Sequence, residues 1–270
     1  MIIIGEKING TRKAVAKAIA ERNDAFIKDL AQSQASAGSS YLDINAGTRP
    51  DREPDDMAWL VQCVQSVVDI PLCLDSANPQ ALEAGLKIVQ KVPLINSLSG
   101  EKARIEGVLP LALKHKTGLI ILALDDTTGI PVTSDGRMAI IARLAGMALE
   151  GGLGEDQLFI DPLVTAISTG TENAKVTFDT IQLAREAYPK AHVTSGLSNI
   201  SFGMPLRGLI NRTFLAMCIK AGMDSAIADP NDRDLMGTAL AAEMLMGKDS
   251  YCQKYSRAFR AGLIGPPKAQ

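Results

Sequence analysis

The sequence predicts a single closed α/β domain, an eight-fold β/α barrel of the (β/α)8 TIM type, on three observations. Eight short apolar segments each end in a small polar or acidic residue, and each is followed by a longer stretch of helical character. The 270 residues are close to one barrel of about 250. No Pro-, Gly- or Ser-rich linker interrupts the alternation, and no 20–50-residue repeat points to a solenoid. The expected division is a barrel over residues 1–262 and a flexible C-terminal tail over 263–270, where Gly265-Pro266-Pro267 stands.

The first strand is expected over residues 2–5. Helical stretches follow, broken near Asn23-Asp24 and closed by Gly38 just past the last turn. The second strand leads to Asn45, a polar loop with two prolines and a helix over about 56–68. Pro71 opens the third strand, and Asn78-Pro79 pairs a cap residue with proline in the first turn of a helix reaching about Lys91. Pro93 opens the fourth strand, and Ser99 is expected to cap the helix starting near Glu101-Lys102. The fifth strand runs into Asp125, a long loop and a helix to about Glu150. The sixth spans 158–160, with a Thr/Ser-rich loop and a helix to Ala187. The seventh spans 192–196; its loop ends at Arg207, and the next helix stops at Gly222. A short eighth strand precedes helices over about 232–246 and 251–261.

The bulk composition excludes several functions. A formal net charge of -2, with no basic block, gives no reason to expect nucleic acid. The N-terminal apolar run is too short for a signal peptide, and no run approaches membrane-spanning length, so a cytoplasmic protein is expected. Cys63, Cys73, Cys218 and Cys252 form no C-x-x-C pair, and Cys63 and Cys73 read as small buried hydrophobes.

In such a barrel every strand's C-terminal end opens onto one face, so distant residues converge on one pocket. Here the ring is Asp75, Asn96, Asp161 and Asn199. A carboxylate offers only acceptors; an amide offers a donor and an acceptor. The ring suits a flat, neutral heterocycle with adjacent N–H donors, such as the 2-amino-4-oxo edge of a pterin or guanine. Rival chemistries fit less well. Metal binding wants several ligands around one point, yet His115 and His192 are the only histidines, both expected away from the mouth. A Schiff-base aldolase needs a pocket lysine, and no strand ends in one. Glycoside hydrolysis needs two opposed carboxylates, which the ring has, but sugar platforms are aromatic and aromatics are 4%. Asp229-Pro230-Asn231 after the eighth strand is no Gly-rich phosphate cradle. Each Asp or Asn taken alone is equally well read as a helix cap; four on one face, each after an apolar strand, are not.

Seven motifs in order now acquire a likeness. Ile3-Ile4-Gly5-Glu6-Lys7-Ile8-Asn9-Gly10, Leu42-Asp43-Ile44-Asn45, Leu72-Cys73-Leu74-Asp75-Ser76, Ile95-Asn96-Ser97, Ile160-Asp161-Pro162-Leu163, Gly196-Leu197-Ser198-Asn199 and the run 209–217 resemble the methyltetrahydrofolate:corrinoid methyltransferases. These belong to the pterin-binding barrels, with the folate domain of cobalamin-dependent methionine synthase and dihydropteroate synthase. The resemblance implies methyl transfer between N5 of tetrahydrofolate and the cobalt of a cobalamin (corrinoid) carried by a partner protein, in either direction. It also implies a homodimer; the poorly placed histidines and unpaired cysteines, for their part, predict no intrinsic metal. It implies that Asp75, Asn96 and Asp161 hold the pterin with Asn199 near N5, that Glu6, Asn9, Asp43, Asn45 and Ser198 line the site, and that Asn199 and Asp161 serve catalysis. Lys7, Arg49 and Arg207 are candidates for the folate tail, Arg207 foremost. The Arg and Lys of the dihydropteroate synthase motifs have no counterpart in Ser198-Asn199-Ile200 or Asp229-Pro230-Asn231. A condensing enzyme of that type, or a non-catalytic pterin-binding subunit, is therefore the lesser alternative. The acidic pair Asp125-Asp126 departs from the family pattern and suggests a different corrinoid partner.

Overall fold

A computed structural model describes residues 1–265. Eight strands form one parallel sheet in the order β7-β6-β5-β4-β3-β2-β1-β8. They are β1 (Ile2–Asn9), β2 (Tyr41–Asn45), β3 (Leu72–Asp75), β4 (Leu94–Gly100), β5 (Gly118–Asp125), β6 (Leu158–Asp161), β7 (His192–Val193) and β8 (Ser225–Ala228). Although β7 has only two residues, the sheet closes. The Ile227 amide donates to the Ser195 carbonyl at 2.9 Å, and Gly196 bridges Ile227 in parallel. This is the expected (β/α)8 TIM barrel.

The helices are α1 (Lys13–Ala20), α2 (Asp24–Ser36), α3 (Glu53–Gln65), α4 (Pro79–Leu86), α5 (Lys102–Gly107), α6 (Leu109–His115), α7 (Ser134–Glu150), α8 (Asn173–Ala187), α9 (Arg207–Ala221), α10 (Arg233–Leu245) and α11 (Gln253–Arg260). The caps follow local chemistry. The side chains of Asn23, Asn78, Thr133 and Asp232 accept from first-turn amides, and Gly38 takes φ 102 past α2.

Four expectations need correction. Helix α3 begins at Glu53, because Pro54 initiates a helix well, and α4 stops at Leu86 rather than near Lys91. Ser99 does not cap α5. Its hydroxyl donates to the Glu101 carboxylate at 2.6 Å, while the Lys102 amide donates to Asp126 at 2.7 Å. Strand β1 runs to Asn9 through a bulge: Gly5 to Ile8 on β1 opposes Leu42 to Ile44 on β2. The Lys7 amide, thrown out of the ladder, donates to Oε1 of the fully buried Gln34 at 2.9 Å. Of the expected tail, residues 263–265 pack, with Ile264 3% exposed and the Gly265 carbonyl accepting from Arg233; residues 266–270 lie outside the described residues.

Strand alternation splits the core in two. One face of the strands packs on the helices through Leu42, Ile44, Leu74, Ile95, Ile121 and Ile160 among others. The other fills the barrel with Ile4, Cys73, Leu94, Ile120 and Phe159, flanked by Ile2, Tyr41 and Ile227. Two residues further along, the same inward face carries Glu6 after Ile4, Asp43 after Tyr41, Asp75 after Cys73, Asn96 after Leu94, Asp161 after Phe159 and Asp229 after Ile227. An apolar floor thus sits directly beneath a polar mouth.

Candidate functional site

Asp43, Asn45, Asp75 and Asn96 form two interleaved hydrogen-bonded pairs on three adjacent strands. Asn45 donates its amide to Asp75 at 2.8 Å, and Asn96 donates to Asp43 at 3.2 Å. Asp75 and Asn96 are register partners, which fixes their spacing. Burial pushes the Asp43 carboxyl well above its usual range; the negative charges of Asp75 and Glu6 push the same way, against the Asn96 hydrogen bond. Burial raises Asp75 too, opposed by Asn45 and Arg104. The Asn45 amide oxygen is buried without a hydrogen-bond partner. Each amide fills one acceptor position of its carboxylate and leaves others over.

A support not foreseen from sequence stands behind Asp75. Ser76 donates to the buried Glu53 at 2.6 Å, its hydroxyl accepts from the Asn78 amide at 2.9 Å, and Arg104 donates to its carbonyl at 2.8 Å. The signal was Pro54 in the first turn of α3, which places Glu53 at the helix start facing β3.

Asp161 is built differently. It is 6% exposed, and its Oδ1 accepts from the Leu163 amide at 2.7 Å. Burial pushes its carboxyl up to about 7, against hydrogen bonds from the amides of Leu163 and Gly196 and the field of Arg137. No side chain shares its charge by direct contact among the described residues.

At β1 and β8, Glu6 is half-buried. Burial raises its carboxyl, as does Asp229, while Arg12, Lys7 and Arg207 lower it. Lys7 is committed to an ion pair with Asp229, and Arg49 pairs with Asp51 at 3.2 Å. Asn9 turns its amide oxygen to the amide and hydroxyl of Thr11, at 3.0 and 2.7 Å, so that oxygen shapes the β1–α1 turn. Gly10 lets this turn meet β2: a Cβ there would lie 1.8 Å from the Ala46 carbonyl oxygen.

Past β7 the chain winds into a short 3-10 helix, Leu197–Ser201. Ser198 is half-buried and Asn199 exposed, with no hydrogen bond to its amide side chain among the described residues. Arg207 reaches back over this turn. It donates to the Ser201 hydroxyl at 2.9 Å and the Ser198 carbonyl at 2.8 Å, with its guanidinium 4.7 Å from the Phe202 ring centre. It braces the loop while making no ion pair among the described residues.

The acidic pair after β5 is largely structural. Asp125 accepts from the Thr127 and Thr128 amides and pairs with Arg143 at 3.2 Å, and Asp126 caps α5. His192 lies beneath the floor against Asp224, and among the described residues no group of three or more His, Cys, Asp or Glu could hold a metal ion. No helix among the described residues is long and apolar enough to cross a membrane.

The chain is 42% identical, over the full length of both, to a methylcorrinoid:tetrahydrofolate methyltransferase of Eubacterium limosum. It is 29% identical over 84% of its length to methionine synthase of Mycobacterium leprae, of which it spans only 20%. In fold alone it is similar to dihydropteroate synthases. That of Yersinia pestis aligns with TM-score 0.67 and 14% identity over 91% of this chain and 94% of the other. That of Clostridium difficile aligns with TM-score 0.69 and 15% identity over 91% and 96%. The family model described as pterin binding enzyme matches residues 5–229, the stretch from the β1 bulge to the residue after β8 that contains every mouth residue described above, and the chain belongs to that family.

Proposed function

We propose that this chain is a methyltransferase that moves a methyl group between the cobalt of a corrinoid on a partner protein and N5 of tetrahydrofolate. The name of the 42% identical full-length relative supports the direction onto tetrahydrofolate. The observation that carries the reading is a pair of carboxylates, the half-buried Asp75 and the buried Asp161, with unfilled acceptor capacity above an apolar floor. In this reading the pterin lies flat on the floor. Its ring N–H and exocyclic amine meet Asp75 and Asp161, and its remaining edge meets Asn96, while Asn45 orients Asp75. Asp43 orients Asn96, and Glu6, Asn9 and Ser198 complete the rim. Arg207, the tail candidate without an ion pair, faces the glutamyl carboxylates.

In that direction the N5 lone pair attacks the methyl carbon. The N5–carbon bond forms, the cobalt–carbon bond breaks with its electron pair left on cobalt, and N5 gives up its proton. Asn199, unengaged and next to the mouth, stabilises charge on N5 only as it develops, the kind of contact that accelerates a step. A carboxyl titrating near neutrality is suited to take the proton through a water it holds; Asp161 has that property. The cobalt is the substrate's own, so the chain needs no nucleophile.

We further propose that the enzyme works in the cytoplasm as a homodimer. The apolar groove of Ala174, Phe178, Leu209, Ile210 and Met217 between α8 and α9 supports the latter, with Leu209 56% exposed. The condensing-enzyme reading has no support beyond shared fold, since the mouth lacks free bases at Asn199-Ile200 and Asp229-Pro230.

The test incubates the purified protein with methylcobalamin and tetrahydrofolate and follows methyltetrahydrofolate and cob(I)alamin, then runs the reverse. Equal formation of both products is expected. Tight folate binding without methyl exchange in either direction would overturn the enzymatic reading and leave a binding subunit.

A further inference from the structure

The largest fully buried side chain among the described residues is a charged one: Arg137 on α7 is 1% exposed. Removing a guanidinium from water is costly unless its donors and charge are answered. Its Nε donates to the Pro131 carbonyl at 3.0 Å, and one terminal nitrogen donates to the carbonyls of Pro162 and Leu163 at 2.9 and 2.8 Å. No carboxylate contacts it among the described residues, and the one anion whose field acts on it is Asp161.

Two of these carbonyls belong to the residues directly after Asp161. Leu163 is held at φ 62, a left-handed conformation that is unfavourable for a residue carrying a Cβ. In that conformation the Leu163 amide donates to Asp161 Oδ1 at 2.7 Å. The chain of contacts therefore runs from Arg137 through the Leu163 peptide to the Asp161 carboxylate. A staple meant only to join the β5–α7 and β6–α8 loops would be served by any buried donor and would not need an unpaired charge.

We propose that Arg137 is a positioning residue: it fixes the Pro162-Leu163 turn so that Asp161 faces the mouth as an anion fit to accept N–H donors of the folate ring. This rests on the assignment of Asp161 to the pterin. The groups acting on Asp161 are the Leu163 and Gly196 amides and Arg137, and its β5 neighbour is the apolar Leu122.

The test measures 5-methyltetrahydrofolate affinity by calorimetry from pH 5.5 to 8.5 for the wild type, R137M, R137K and D161N, with folding checked by thermal melts. R137M removes cation and fork together. Its pH midpoint for binding should move up, weakening affinity near neutrality by roughly tenfold for each unit moved. R137K keeps the charge but not the planar fork. It should restore the midpoint while binding several-fold more weakly at every pH; if R137M does not fold, this loss in R137K decides the matter. Lower melting temperatures with wild-type affinity and midpoint in the folded variants would overturn the proposal and leave a staple. Loss of affinity in D161N alongside wild-type binding in R137K would sink the Arg137 role alone. Wild-type binding by D161N would sink the Asp161 assignment with it.

Discussion

Two aspartates at opposite ends of the barrel, the buried Asp161 and the half-buried Asp224, are treated in opposite ways. Asp224 lies at the base. It pairs with Arg185 at 2.9 Å and His192 at 2.9 Å, and accepts from the Val193 amide at 2.8 Å. Burial alone would raise its carboxyl, but those partners hold it below the usual carboxylate range. Asp161 lies at the mouth, meets only backbone amides and a cation acting through a turn, and is pushed up to about 7. The base spends its charges on its own structure, whereas the mouth keeps an ionised group short of partners. The difference teaches where function sits: a group left costly to ionise gains most when a ligand supplies the missing donors.

The sharpest way to break this comparison is through pH. Because the folded carboxyl of Asp161 titrates above its unfolded value of 3.8, its favourable contribution is complete below that value and lost as pH rises through about 7. Asp43, Asp75 and Glu6 shift in the same direction. The ligand-free protein should therefore melt lower at pH 8 than at pH 5, and Asp161→Asn should recover up to ~4 kcal/mol at pH 8. A flat melting profile from pH 5 to 8 would show that the mouth carboxylates are satisfied after all.

The second effect is a crossed pair of variants. Asp75→Ala should cost roughly 1.5–3 kcal/mol of folate affinity, the range for a charged hydrogen bond, with the melting temperature held or raised. Asp224→Ala should leave folate affinity unchanged and cost about 1–2 kcal/mol of stability, discounted because the pair is partly exposed. Calorimetric titration and melting of both variants settle it; the same phenotype in each would erase the distinction between mouth and base.

The smallest effect separates two members of the mouth. Asn199→Ala should lower turnover by roughly tenfold while changing folate affinity less than about threefold, because its amide is proposed to engage only as charge develops on N5. Equal losses in kcat/KM and binding would make Asn199 a ground-state contact like Asp75.

The sequence by itself determined the barrel and most of its mouth. An apolar residue two positions before a terminal Asp or Asn, and so in phase with it, encodes an inward face that changes from floor to mouth within one strand, as Ile4 to Glu6 and Cys73 to Asp75 do. That pattern is local, so it can be read from the chain. Only the tertiary structure decided how those carboxyls are held. The β1 bulge depends on Gln34 arriving from α2. The Asn45–Asp75 and Asn96–Asp43 pairing depends on strand register, and the Asp126 cap depends on a loop after a different strand. Arg137 was invisible for the same reason. On its helix it reads as an ordinary surface base, and it becomes a buried guanidinium only because the loops after β5 and β6 close over it. Local spacing fixes which way a side chain points along its own strand or helix; its partner and its charge state are set by what the rest of the fold brings alongside.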